Sequence, residues 1–187
     1  MKNYWIWRMI KELQIKMDKI YQDENNNFQF DFRNAKEVIV LDNLTHCIPE
    51  LQYNVDFILV DKEIVFLEFK DSKVASPDGE EKFQRKLDQD SDRFCKNMAK
   101  KFVSSLFWLW ACKKNDGDRK IVYYLLIESS FFDAGLRKRF RNKISRQLPH
   151  GYKKDGRVKR EILSEFKVVS LEEWKKEFPQ YIIRDCK

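Results

Sequence analysis

Asn54-Val55-Asp56-Phe57-Ile58-Leu59-Val60 is followed, after Asp61-Lys62-Glu63, by Ile64-Val65-Phe66-Leu67-Glu68-Phe69-Lys70. Two apolar runs separated by a short polar step predict an antiparallel hairpin. Both runs are too uniformly apolar for a sheet with one wet face, so they predict strands buried on both sides. Asp56, Glu68 and Lys70 interrupt them, and a buried charge without a partner is expensive. Glu68 and Lys70 are two apart and project from the same face. Asp56 joins them if the loop has an odd number of residues, as Asp61-Lys62-Glu63 has, or if a β-bulge intervenes. A two-residue turn would send it to the opposite face.

Outward from the hairpin, the spacing of Tyr4, Trp5, Ile6, Ile10, Leu13, Ile15, Met17, Ile20 and Tyr21 predicts an amphipathic helix over 4–21. Phe28-Gln29-Phe30-Asp31-Phe32 alternates with period 2 and Glu37 to Leu41 is a β-branched run, so strands are expected there. Beyond Ser76-Pro77-Asp78-Gly79, a long helix over 81–113 is expected, because Phe83, Leu87, Phe94, Met98, Phe102, Leu106 and Leu109 recur near one face. A buried strand over 120–127, a basic helix over 133–148 and a strand over 166–169 follow. Ser170-Leu171-Glu172-Glu173 is a capping box that opens a last helix, which runs through Phe178 and is stopped by Pro179. The order is that of an α/β sandwich around a mixed sheet. The 187 residues read as a single domain, with a core over about 4–127 and a basic C-terminal extension over about 133–187.

Composition excludes several classes. Five glycines make no G-x-G-x-x-G, and Gly151 and Gly156, which have the Walker A spacing, precede Arg157-Val158 rather than Lys-Ser/Thr. Two histidines and four scattered cysteines make neither a histidine-rich zinc site nor a disulfide frame. The N-terminus lacks the apolar core of a signal peptide. The greasiest run, Phe102 to Cys112, is too short to span a membrane. A soluble cytoplasmic protein without a membrane partner is expected. The pairs His46-Cys47 and Ser104-Ser105 are read as inert, the serines as helix surface. Phe107, Trp108 and Trp110 are read as packing residues, and Asp88, Asp90 and Asp92 as a solvated face.

The net charge is +7, and its distribution is uneven. Residues 137–160 hold eleven basic residues against Asp155 alone, a local charge of +10 that leaves the rest of the chain at −3. Such a concentration suits a phosphate backbone, where each neutralised phosphate releases counterions. Arg137, Lys138, Arg139, Arg141, Lys143, Arg146, Lys153, Lys154 and Arg157 are the candidate nucleic-acid contacts.

Two carboxylates and a lysine on one face are suited to Mg²⁺ or Mn²⁺ with an ammonium beside it. The metal polarises a phosphodiester and activates water, and the ammonium orients that water or stabilises the charge that develops on phosphorus. A salt-bridged trio at a strand end is the structural alternative.

With a preceding helix, a following long helix and a further strand, Asp56…Glu68-Phe69-Lys70 resembles the PD-(D/E)xK nuclease superfamily, over residues 4–127 in element order. The resemblance implies a restriction-endonuclease-like core: a central mixed sheet flanked by helices. It implies Asp56 and Glu68 as metal ligands with the Phe69 main-chain carbonyl, Mg²⁺ as cofactor, and Lys70 acting on the attacking water. Val55 stands where many members have proline. Members often add a glutamate, for which Glu12, Glu24 and Glu37 stay open. Others add a polar residue on the helix after the motif, for which Gln84 comes first and Gln89 close behind; Lys73 is placed just outside the site. The resulting expectation is a metal-dependent nuclease, with DNA favoured over RNA and a homodimer left open. The alternative is a non-catalytic nucleic-acid-binding or protein-interaction subunit on the same fold.

Overall fold

The structure, a computed structural model, describes residues 19–41, 51–72 and 78–186, apart from the side chain of Lys153. Among the described residues, eight strands form two sheets. The larger contains β3 (Glu37–Ile39), β4 (Phe57–Val60), β5 (Ile64–Asp71), β6 (Ile121–Glu128) and β7 (Glu165–Val169), in that order. It is mixed: β3, β4 and β5 are antiparallel neighbours, while β5, β6 and β7 run parallel. The smaller sheet is antiparallel, in the order β1 (Ile20–Gln22), β2 (Phe28–Asp31), β8 (Ile182–Asp185). Among the described residues there are three α-helices: α1 (Gly79–Ala111), α2 (Ala134–Ser145) and α3 (Leu171–Glu177).

The central strands are buried on both faces, and their side-chain alternation separates two cores. Ile58, Val60, Ile64, Phe66, Ile121, Tyr123 and Leu125 point to one face, where Met98, Phe102 and Leu106 of α1 and Phe140 and Ile144 of α2 cover them. Phe57, Leu59, Leu67, Phe69, Tyr124 and Leu126 point to the other, which Phe28 and Phe30 of the small sheet and Phe32 just beyond it cover together with Trp174 of α3. Helices therefore flank one side of the mixed sheet, while a second sheet and a short helix flank the other.

Several expectations are corrected. Lys19, expected inside a helix, is in a turn with φ +48°, and Ile20 and Tyr21 begin β1, where Tyr21 pairs with Phe30; residues 4–18 of the expected helix lie outside the described residues. β8, not anticipated, closes the small sheet against β2. The long helix ends at Ala111 and is kinked at Asp90, which has φ −145° and ψ 56°. The Asp90 carboxylate accepts from Arg93 N–H at 3.0 Å, so it caps the second half of the helix as an N-cap residue would. The capping box at Ser170 forms with both of its hydrogen bonds, as expected. Chain beyond Asp133 is built into the body of the fold, supplying β7 and the fully buried Trp174.

Candidate active site

The hairpin loop has three residues and is closed by Asp61 N–H donating to Glu63 C=O at 2.9 Å. Val60 pairs with Ile64 and Phe57 with Leu67. Continued by one step, this register sets Asp56 opposite Glu68, on the face turned to α1. Glu68 extends the row Ile64, Phe66 and Lys70 extends it once more. The odd loop thus delivers the two carboxylates and the lysine to one end of one face.

Glu68 is completely buried. Lys70 Nζ lies 2.5 Å from its Oε1. A second ammonium, Lys101 of α1, lies 2.8 Å from Oε1 and 2.9 Å from Oε2. Lys101 Nζ also approaches Asp56 Oδ1 at 3.8 Å, so it stands between the two carboxylates. Glu68 Oε1 makes no aligned hydrogen bond despite these close charges.

The backbone around the site is fixed from both sides. Phe69 projects into the opposite core, where the rings of Phe28 and Phe30 meet it edge-on at 5.0 and 5.1 Å. Its N–H donates to Asp56 Oδ2 at 2.7 Å, and its carbonyl accepts from Lys70 Nζ at 3.1 Å. From the helix side, Ser105 Oγ accepts from Val55 N–H at 2.9 Å, while Ser104 Oγ lies 2.9 Å from Leu51 O and 3.1 Å from Asn54 Oδ1. These serines, expected on the helix surface, are buried and hold the segment leading into Asp56.

Electrostatics follow from burial. Burial, and then the nearby Glu68 charge, push the Asp56 carboxyl up from 3.8 to about 6, against the pull of Lys70 and Lys101. Burial alone would lower the pKa of Lys70, but Glu68 and Asp56, with Glu24, outweigh it and hold the ammonium above its ordinary range. Beneath them Tyr123 is driven well above its usual value by burial and by the same two carboxylates, and it donates to Met98 O at 3.2 Å.

A cleft of about 430 Å³ opens over Asp56, Lys70 and Lys101, and its far wall is the β1–β2 turn. Asn27 Nδ2 donates to Asp71 Oδ2 at 2.7 Å and ties that turn to the end of β5. Glu24 lies on this wall. Of the three glutamates left open by sequence, Glu24 is the one at the site: Glu37 is paired with Lys114 at 2.6 Å, away from the cleft, and Glu12 lies outside the described residues. Gln84 and Gln89 are exposed on the first half of α1 and do not line the cleft; the α1 side chain that does line it is Lys101. Lys73 lies outside the described residues. One signal for Lys101 exists in the sequence: it sits three residues after Met98 and next to Phe102, at the margin of the apolar arc.

The structure sorts the basic segment. Arg137 is held by Glu173, with Nε 3.1 Å from Oε2, and also donates to Phe132 O at 2.9 Å. Lys143 is held by Asp92 and Ser91, each at 2.7 Å, at the kink of α1. Arg157 pairs with its neighbour Asp155 but stays exposed. Lys138, Arg139, Arg141, Arg146 and Lys154 are exposed. The loop 129–133 leads into α2 from the end of β6 that lies beside Asp71, because Asp71 pairs with Glu128. Glu80 in the first turn of α1 accepts from Ser130 N–H at 2.6 Å, which holds its carboxyl below the usual range and fixes that loop.

The groups here that could hold a divalent cation are the Asp56 and Glu68 carboxylates and the Phe69 carbonyl, and the two lysines already contact them. Two carboxylates aimed at one spot hold an ammonium between them, and a buried carboxylate oxygen there lacks an aligned donor. Among the described residues no three acidic, histidine or cysteine side chains converge. No protein-family model, curated protein or solved structure matches this chain.

Proposed function

We propose that the chain is a metal-dependent nuclease that hydrolyses phosphodiester bonds in nucleic acid, with DNA as the favoured substrate and a restriction-endonuclease-like core. The observation that carries this reading is the convergence of Asp56, Glu68, Lys70 and Lys101 at the foot of an open cleft. Asp56, Glu68 and the Phe69 carbonyl would hold Mg²⁺ or Mn²⁺, which supplies polarisation of the phosphate and a more acidic bound water. The chain's own groups do the rest. Lys70, kept charged by its carboxylates, orients the attacking water. Lys101, which contacts both oxygens of Glu68, stabilises charge developing on the phosphate oxygens, where a pre-set cation in a partly desolvated cleft is most effective. The exposed Lys138, Arg139, Arg141 and Arg146 position the backbone without reading sequence.

The test is incubation with linear duplex, circular duplex and single-stranded DNA and with RNA, with and without Mg²⁺ or Mn²⁺. A metal-dependent product is expected that Asp56→Asn and Lys70→Ala each abolish. No product on any substrate, or an undiminished product from both variants, overturns the reading.

The balance of two carboxylates against two lysines, with Lys101 already between the acids, supports a second reading. In it the quartet is a neutral strut in a non-catalytic nucleic-acid-binding subunit. Salt-sensitive binding without a metal-dependent product would select it.

A further inference from the structure

We propose that the outer face of α1 is a homodimer interface, in which two copies of the chain pair their helices antiparallel about Val103. Phe107 and Trp110, expected from the sequence to be packing residues, are 51% and 40% exposed, and Val103 is 53% exposed. Tyr53, 40% exposed, stands beside Val103. Three of the five large apolar side chains exposed among the described residues therefore lie along α1, and a fourth, Tyr53, borders them at Val103.

The stripe has a regular order. Lys96, Lys100, Val103, Phe107 and Trp110 are exposed and spaced four, three, four and three residues apart. That 3.5-residue period keeps one seam in contact when two helices cross at roughly 20°. Its chemistry is polar at one end and aromatic at the other, with Val103 at the midpoint. An antiparallel partner related by a two-fold axis at Val103 sets Lys96 against the partner's Trp110 and Lys100 within one residue of the partner's Phe107. Each ammonium then meets a ring face, a favourable cation–π arrangement. A parallel pair would instead oppose lysine to lysine. The pattern is complementary to itself, as an isologous interface requires.

The surface already uses this chemistry, since Lys100 Nζ sits 5.1 Å from the Tyr53 ring centroid. A groove of about 510 Å³ between Tyr53, Lys96 and Lys100 gives an incoming indole a place to lie. The chain turns away at Lys113, with φ +54°, so the stripe ends where its partner's begins. About 21 Å of seam places the contact at the small end of specific interfaces, so the dimer is concentration-dependent.

The test is analytical ultracentrifugation of the metal-free, substrate-free chain, which keeps its outcome separate from that of any cleavage assay. A dimer is expected whose dissociation constant rises at least about tenfold in Trp110→Ala and Val103→Glu. With Cys47, Cys112 and Cys186 replaced by serine, Val103→Cys should cross-link to itself on oxidation, while Lys96→Cys should require Trp110→Cys in the same chain. A wild-type chain that stays monomeric overturns the proposal. Trp110 shielded from acrylamide would then assign the face to another segment of the same chain, and exposed Trp110 to a different partner. A dimer unaffected by both substitutions, or lacking the Val103→Cys cross-link, also overturns it.

Discussion

Lys101 on α1 and Glu68 on β5 meet across the helix–sheet interface, with the ammonium within 2.9 Å of both carboxylate oxygens. This ion pair welds the second half of α1 to the strand that carries the candidate catalytic lysine. Glu68 has no exposure at all, so each of its two lysines offsets a charge that cannot reach water. Lys101→Met is expected to destabilise the chain by about 3 kcal/mol, the low end for a broken buried pair because Lys70 remains. Glu68→Gln added to Lys101→Met should restore part of that loss. Urea denaturation of the two single variants and the double variant measures the coupling, and additive losses would contradict it.

Asp56 gives the metal-free protein a pH signature. Its folded value of about 6 lies above its ordinary 3.8, so the folded state holds this proton more tightly than the unfolded one. The increment of stability is complete below the ordinary value, declines as pH rises through the folded one, and is gone above it. The difference in urea midpoint between wild type and Asp56→Asn should therefore shift between pH 4 and 7 and level off above. Parallel curves would count against it.

A divalent cation should reverse the sign of this effect. At roughly a hundredfold excess over its dissociation constant, Mg²⁺ is expected to stabilise the wild-type chain by about 2.7 kcal/mol. Asp56→Asn and Glu68→Gln should show little or none of this. Melting curves with Mg²⁺ and with EDTA decide the matter without any nucleic acid present.

Ser105→Ala removes the acceptor of the Val55 N–H and leaves that buried donor unpaired. A loss of about 1–3 kcal/mol is expected, together with weaker Mg²⁺ stabilisation because the approach to Asp56 loosens. Ser105→Thr should retain most of both. A metal response unaffected by the alanine variant would show that the serine supports only the fold.

The basic segment should divide into two classes. Alanine at Lys138, Arg139, Arg141 and Arg146 is expected to flatten the salt dependence of duplex binding, by about 0.9 in logarithmic slope for each phosphate no longer neutralised. Arg137→Ala and Lys143→Ala should act first on stability, since Glu173 and Asp92 already hold those side chains. Binding titrations at several salt concentrations, set beside denaturation curves, separate the classes.

What could be read from the sequence depended on how local the signal was. The hairpin and its trio were legible because two apolar runs and a countable loop fix the register, and the loop's odd length predicted the face that Asp56 occupies. β1 and β8 were not. They have three and four residues, and β8 pairs with a strand some 150 positions earlier, so neither carries a periodic signature of its own. Lys101 was hidden among other lysines of α1, although its place beside Phe102 set it apart from Lys96 and Lys100. Ser104 and Ser105 looked like surface because they are polar, yet Phe102 and Leu106 flank them on the buried arc. Basic residues that looked alike as a run were separated by acids distant in the chain, which composition cannot place.

The three-residue step between Val60 and Ile64 also limits how this molecule can vary. Lengthening or shortening it by two residues would extend or trim the turn and leave every side chain of β5 facing as it does. A change of one would rotate the strand by half a turn against its partner, exposing Glu68 to the phenylalanine-rich core and Leu67 to the lysines. Natural or engineered relatives that keep Asp56, Glu68, Lys70 and Lys101 together should therefore differ in this loop by even numbers of residues unless a β-bulge compensates, a parity rule that survives any amount of drift in the loop's composition.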